Sequence, residues 1–278
     1  MQGKLYLCAT PIGNLEDITM RVLRTLKEVD LIAAEDTRNS IKLLNHFDIH
    51  TPMTSYHEYN KIEKAHYLAD KMKGGMNVAL ITDAGTPGIS DPGEDLVRIC
   101  YEEGIEVTSL PGACACVTAL TLSGLGTRRF CFEAFLPSDK KERQDILKEL
   151  EEETRTIIVY EAPHRLVKTL KELYGRLGDR RMSVCRELTK KHETAFFTTL
   201  GGAVAYYEEN EPKGECVLVI EGKSRETIKE EQIRHWDKFT VPEHMQMYLD
   251  EGIDRKEAMK KVAADRGISK RDVYQALL

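Results

Sequence analysis

The sequence predicts an α/β fold, built as two consecutive α/β domains followed by a small helical C-terminal domain, and three observations carry that reading. Strand-like and helix-like hydrophobic patterns alternate through the first 220 residues, as expected where strands are joined by helical crossovers. Two apolar runs, Val78–Thr82 and Ile105–Leu110, end in loops rich in Gly and Pro, D-A-G-T-P-G-I-S-D-P-G and P-G-A-C-A-C. In open α/β sheets such strand ends are where ligands bind. From Glu226 to Leu278 only a helical period persists. These shifts divide the chain into residues 1–115, 116–224 and 225–278.

The elements follow in order. Lys4–Ala9 is a buried strand that enters P-I-G-N, and Asp17–Val29 is a helix whose Ile18, Val22, Leu23, Leu26 and Val29 share one face. Leu31–Ala34 is a second strand running into E-D-T-R, where Asp36 or Thr37 is placed to cap a helix over Arg38–Phe47. Asn60–Met72 is a helix, and Val78–Thr82 and Ile105–Leu110 are strands. In the second domain, strands are expected at Phe130–Phe135, Thr156–Glu161, Met182–Glu187, Thr194–Leu200 and Cys216–Glu221, with hairpin-like spacing. Helices fall at Asp139–Glu153, His164–Leu177 and Gly202–Glu208. In the tail, Gly267 followed by Ser269 as a cap sets two short helices at helix-turn-helix spacing.

Composition excludes several classes. No apolar run approaches the roughly 20 residues that cross a bilayer, and Met1–Pro11 lacks a basic stretch leading into an apolar one, so a cytoplasmic protein is expected. The seven cysteines include no C-x-x-C pair and no Cys/His cluster at zinc spacing. No metal is expected, and Cys114 and Cys116 read as small core or loop residues. The net charge of -6 is set against a basic island from Arg255 to Leu278, which reads equally as a solvated helix face or as an RNA contact. The loop after Val78–Thr82 is unusually bare: Gly85, Gly88 and Gly93 lack a Cβ, while Pro87 and Pro92 fix φ. If the two Gly/Pro loops lie side by side on neighbouring strands, they form the lips of one crevice. No G-x-G-x-x-G fingerprint follows the first strand.

Six segments in order carry a resemblance: A-T-P-I-G-N-L-E-D-I-T near the start, A-A-E-D-T-R at 33–38, the D-A-G-T-P-G-I-S-D-P-G loop, L-P-G-A-C-A at 110–115, Y-E-A-P-H-R at 160–165 and R-E-L-T-K at 186–190. Together they resemble the ribosomal RNA small-subunit methyltransferases of the tetrapyrrole methylase superfamily, over nearly the whole chain. The resemblance implies two α/β domains with S-adenosylmethionine folded in the cleft between them, a homodimer, and 2'-O-methylation of a cytidine in the decoding centre of small-subunit ribosomal RNA. Carried over residue by residue, it implies cofactor contacts from Ile12, Thr86, Ile89, Cys114 and Ala115, and from Tyr160, Leu188, Gly214 and Glu215 of the second domain. Asp83 belongs to the same loop and is set either to order it or to touch the cofactor.

Methyl transfer to a ribose hydroxyl needs in-line positioning and a late proton acceptor. The candidates are Glu35, Asp36, Glu161 and Glu187, each with a plainer role open to it: Asp36 as a helix cap, Glu161 paired with Arg165, Glu187 paired with Arg186. Arg38, Arg165, Arg186 and Lys190 suit phosphate contacts, as do Lys260, Lys270 and Arg271 of the basic tail. A tetrapyrrole methyltransferase is the rival enzyme, and a non-catalytic RNA-binding module the rival class.

Overall fold

The computed structural model describes residues 2–278. The first sheet is made by β1 (Lys4–Cys8), β2 (Leu31–Ala34), β3 (Met53–Ser55), β4 (Val78–Ile81) and β5 (Glu106–Leu110), in the order β3-β2-β4-β1-β5. All its pairings are parallel. The crossovers are α1 (Met20–Glu28), α2 (Thr37–His46), α3 (Lys61–Lys73) and α4 (Gly93–Glu102). Because side chains alternate across a strand, a sheet covered on both faces needs continuous apolar runs. The strands obey this: Leu5, Leu7, Val78 and Leu80 enter one core cluster, whereas Cys8, Ala79 and Ile81 enter another.

The second sheet contains β6 (Phe130–Phe135), β7 (Thr156–Glu161), β8 (Arg181–Arg186), β9 (Thr194–Thr199) and β10 (Cys216–Ile220), in the order β6-β7-β10-β8-β9. Only β6 and β7 pair in parallel; the remaining pairs are antiparallel. Its helices are α5 (Ala115–Leu122), α6 (Lys140–Glu151), α7 (Pro163–Leu177) and α8 (Leu200–Glu209). Ile157, Val159, Leu218 and Ile220 pack with α6, α7 and α8 in one cluster. Ile158, Val217 and Val219 point to the other face, where they meet Cys116, Ala119 and Leu120 of α5 together with Ile12 and Cys114 from the first lobe. That apolar cluster joins the two sheets.

Four helices close the chain: α9 (Arg225–Trp236), α10 (Val241–Asp250), α11 (Arg255–Asp265) and α12 (Lys270–Ala276). Ser224, Thr240, Asp254 and Ser269 cap them, with reciprocal capping boxes at Thr240/Glu243 and Ser269/Asp272. Met245, Ala258, Val262 and Val273 form their own small core. The chain separates into a unit that runs to Leu150 and resumes over Arg155–Glu221, holding both sheets, and a unit of Glu151–Thr154 with Gly222–Leu278.

The structure departs from the sequence expectations in three places. β4 and β5 are not neighbours, because β1 lies between them; the loop after β1 therefore enters the crevice as a third wall. P-G-A-C-A-C is not all loop, since Cys114 is the N-cap of α5 and Ala115 its first residue. The first helix starts at Met20 rather than Asp17, where the Thr19 hydroxyl accepts the Val22 N–H at 3.2 Å.

Candidate active site

Three loops at the carboxyl ends of β1, β4 and β5 are tied to one another by main-chain and threonine-hydroxyl hydrogen bonds. Thr10 and Gly85 exchange N–H to carbonyl bonds of 2.9 and 3.1 Å, and the Thr10 hydroxyl donates to the Thr82 carbonyl at 3.1 Å. The Thr86 hydroxyl donates to the Ala113 carbonyl at 2.9 Å. Gly85 has a φ of +90°, and a Cβ there would come within 3.3 Å of Ile12 Cγ2, so the loop is bare where it meets the first one. The bare loop carries its own anchor, Asp91, which accepts from the amides of Gly88, Ile89 and Gly93 at 2.8 to 3.2 Å. Sequence reasoning missed Asp91, although S-D-P-G is an Asx-turn signature that could have marked it. Its bonds leave Ile89 held by its backbone yet 40% exposed.

The second lobe supplies a loop of different character. Glu187 and Thr189 have φ values of +50° and +65°, which L residues adopt only against strain. Between them Leu188 is buried at 6% exposure. The loop meets the first lobe at Gly13, where an added Cβ would lie 2.8 Å from the Leu188 carbonyl and 2.5 Å from Lys190 Cγ. Glu187 Oε1 accepts from Lys190 Nζ and from the Glu215 amide, both at 3.1 Å, and Lys190 Nζ also reaches Glu215 Oε2 at 2.9 Å. Burial pushes the Glu187 carboxyl up, but Lys190, the Glu215 amide and Arg186 outweigh it and hold the group below its ordinary range. Gly214, at φ +75°, is required beside it, because a Cβ there would overlap the Glu187 carboxylate. Two donors are left buried with no partner, Arg186 Nε and Thr189 Oγ1. Tyr160 completes this side, its hydroxyl accepting the Cys116 N–H at 3.0 Å across to the start of α5. Burial, followed by the neighbouring thiols, raises the Tyr160 pKa.

The structure thus brings together Ile12, Thr86, Cys114, Ala115, Tyr160, Leu188, Gly214 and Glu215 by shared bonds and packing. It also sorts the charged candidates. Asp36 is the N-cap of α2, and its two oxygens are held by Arg38 at 2.6 and 3.0 Å; that pairing lowers its pKa to about 2. Asp83 accepts from the Asp36 amide and from Asn39, and its own amide donates to Glu35, so it orders the loop from behind. Glu35 also accepts from the Thr82 hydroxyl at 2.5 Å. The Glu161 side chain is 1% exposed and is bonded to the Thr169 hydroxyl, the Ala162 amide and Arg165. Arg165 is further bound to the Leu136 carbonyl at 2.9 Å. This pair is a structural node that supports the start of α7.

The comparisons with known proteins agree with this architecture. A family model described as Tetrapyrrole (Corrin/Porphyrin) Methylases matches residues 4–204. The chain belongs to the tetrapyrrole methylase family. A protein named ribosomal RNA small subunit methyltransferase I from Halalkalibacterium halodurans is 50% identical over 98% of this chain and 94% of its own. One of the same name from Bacillus subtilis is 47% identical over 99% and 94%. Among solved structures, a diphthine synthase aligns at TM-score 0.65 and 14% identity, covering 80% of this chain and 91% of its own. A uroporphyrin-III C-methyl transferase from Thermus thermophilus, complexed with S-adenyl homocysteine, aligns at 0.55 and 19%, covering 79% and 97%.

The tetrapyrrole methylase match stops before β10 and the helical unit. In that unit Lys260, Lys270 and Arg271 are exposed, whereas Arg266 is committed to the Thr240 carbonyl and His244. Among the described residues no three His, Cys, Asp or Glu side chains are placed to hold a metal, and no helix is long and apolar enough to cross a membrane.

Proposed function

We propose that the protein transfers the methyl group of S-adenosylmethionine to the 2'-hydroxyl of a cytidine in small-subunit ribosomal RNA, position 1402 in the usual RNA numbering. The observation that carries this reading is that relatives at 47 to 50% identity, aligned over nearly all of the chain, bear the small-subunit ribosomal RNA methyltransferase name. The site fits the cofactor. Gly13 and Gly85 mark places where a Cβ would intrude on the facing loop, and the unpartnered Thr189 hydroxyl is a donor in the same strained segment. We assign Ile12, Thr86, Ile89, Cys114, Ala115, Tyr160, Leu188, Gly214 and Glu215 to holding it. When bound, S-adenosylmethionine supplies an electrophilic methyl on a sulfonium. The chain's own part is to align the hydroxyl with that methyl and exclude water, the kind of positioning that supplies much of the rate of a transfer between bound partners.

The proton leaves late. A protonated ether formed as the methyl arrives is a strong acid, so a carboxylate of low basicity suffices to accept its proton. We assign that role to Glu187, which stands on the strained loop facing Gly13. Glu35 and Asp83 instead order the bare loop, and Glu161 supports α7. Arg38, Arg165, Arg186 and Lys190, with Lys260, Lys270 and Arg271 of the tail, remain our proposed RNA contacts, though Arg165 acts first through Glu161. We further propose a cytoplasmic homodimer.

Incubation of the purified protein with small ribosomal subunits and labelled S-adenosylmethionine, followed by nuclease digestion, should yield labelled 2'-O-methylcytidine. Cofactor binding with transfer to a tetrapyrrole and none to RNA would sink the reading. Absence of cofactor binding would leave only a non-catalytic module. Light scattering at micromolar concentration should give twice the 31.6 kDa chain mass.

A further inference from the structure

On the second lobe, the segment between β8 and β9 and the turn before β10 line an open cleft of about 580 Å³. Its walls carry Arg186, Glu187, Lys191, His192, Glu193 and Lys213. The charges divide by their commitments. Glu193 Oε2 accepts the Thr189 amide at 2.5 Å, and Glu187 Oε1 is spent on Lys190 and the Glu215 amide. The cations are not so engaged: Lys191, His192 and Lys213 are exposed, and among the described residues they form no ion pair. Arg186 is already hydrogen-bonded to Tyr207 through its guanidinium but keeps a buried Nε with no acceptor. A buried guanidinium N–H without a partner is costly unless a ligand supplies one. Four donors from three separate segments therefore surround one space, and each of its two carboxylates already has one oxygen bonded within the fold.

We propose that this cleft is an RNA phosphate subsite, seating the backbone phosphodiester next to the methylated ribose. The inference rests on the RNA methyltransferase reading and deepens it. It follows from adjacency: Glu187, assigned to accept the proton of the 2'-hydroxyl, lines the cleft itself, and in RNA the 3'-phosphate is the group bonded next to that hydroxyl. A planar guanidinium flanked by flexible ammonium groups is the donor set that binds phosphate. The tail cations sit on a different unit of the chain, so the two sets of contacts can be tested apart.

The test is the double variant K191A/K213A, with K140A/K141A as a control that removes two exposed charges from α6. Affinity for a single-stranded fragment of the decoding region is measured by fluorescence anisotropy across a salt series, and cofactor affinity by calorimetry. For K191A/K213A we expect RNA affinity to fall by at least tenfold and the log–log salt slope to flatten by about 1.4, roughly 0.7 for each cation withdrawn from a single-strand phosphate. Cofactor affinity and melting temperature stay at wild-type values, and the control changes neither RNA measurement. An RNA affinity and slope equal to wild type would overturn the proposal, as would a loss confined to cofactor binding. Failure of the wild type itself to methylate small subunits would instead strike the underlying functional reading.

Discussion

Replacing Gly13 by alanine tests the joint between the two lobes with the smallest possible change. Gly13 does not occupy the left-handed region, so alanine fits its backbone and the effect isolates the contact. The added Cβ would stand 2.8 Å from the Leu188 carbonyl and from Thr189 Oγ1, and must recede to at least 3.4 Å for ordinary contact. Lys190 Cγ, at 2.5 Å, belongs to a flexible stem and can swing aside, but the Leu188 carbonyl is backbone within an already strained turn. Overpacking of this kind costs about 1–3 kcal/mol. If that cost falls on the closed, cofactor-holding arrangement, affinity for S-adenosylmethionine drops by roughly 5- to 150-fold. Calorimetric titration of the variant with S-adenosylmethionine and with its demethylated product checks this. An affinity within twofold of wild type, with the melting temperature lowered by the same free energy, would place the contact outside the site and refute the assignment.

Gly214→Ala combines a φ of +75° with overlap on Glu187, so a loss of about 2–4 kcal/mol is expected, lowering the melting temperature by roughly 5–15 °C in calorimetry. Glu187→Gln keeps the shape and the bond from the Glu215 amide but removes the proton acceptor; turnover should fall at least tenfold while cofactor affinity holds, and unchanged turnover would remove Glu187 from that role. The Cys116 thiol, 3.4 Å from the Cys114 sulfur, lowers the Cys114 pKa and is itself raised. A lowered thiol pKa means more thiolate at neutral pH, so Cys114 should be alkylated by iodoacetamide below the pH range of ordinary thiols. Cys116→Ser should move that profile, and S-adenosylmethionine should protect Cys114; labelling at the same rate with and without the cofactor would move Cys114 out of its site.

Most strands were legible in the sequence: Leu31–Ala34 and Thr156–Glu161 because burial on both faces demands uninterrupted apolar residues, and Phe130–Phe135, a partly exposed edge strand, because of its aromatic run; all three are read to the residue. What could not be read was strand order. Gly/Pro-rich ends at Leu110 and Thr82 imply a crevice, but nothing local says that β1 separates them, since pairing between distant strands leaves no periodic trace. Three elements escaped for local reasons, α5 because its start lies inside the P-G-A-C-A-C turn. β3 is three residues long, too short for its period to register, and α4 begins inside the D-P-G turn, whose Pro and Gly signal a loop. Among the site residues, glycines and prolines pointed to loops correctly, whereas the carboxylates were ambiguous. Asp36, Glu161 and Glu187 are all acids at or beside a strand end in the sequence, and only their partners separate a cap, a buried node and a strained wall.

Those partners also explain why two loops of one site are built on different principles. The bare loop is complete before any ligand arrives: Asp91 takes three of its amides, Asp83 ties it to α2, and Thr10 closes it against β1. Its unusual φ values fall on Gly85, Gly88 and Ser90, so most of its bending costs little. The loop from Glu187 to Lys190 is the reverse, with its positive φ values on Glu187 and Thr189 and donors at Arg186 and Thr189 left unpaired in the interior. Strain and unpaired donors together raise the energy of the free state, and a ligand that pairs with those donors lowers it selectively. With the cofactor placed as we propose, a rigid cradle opposite a strained wall would let the first lobe set the position of the methyl donor, while the second lobe would gain most from what is bound.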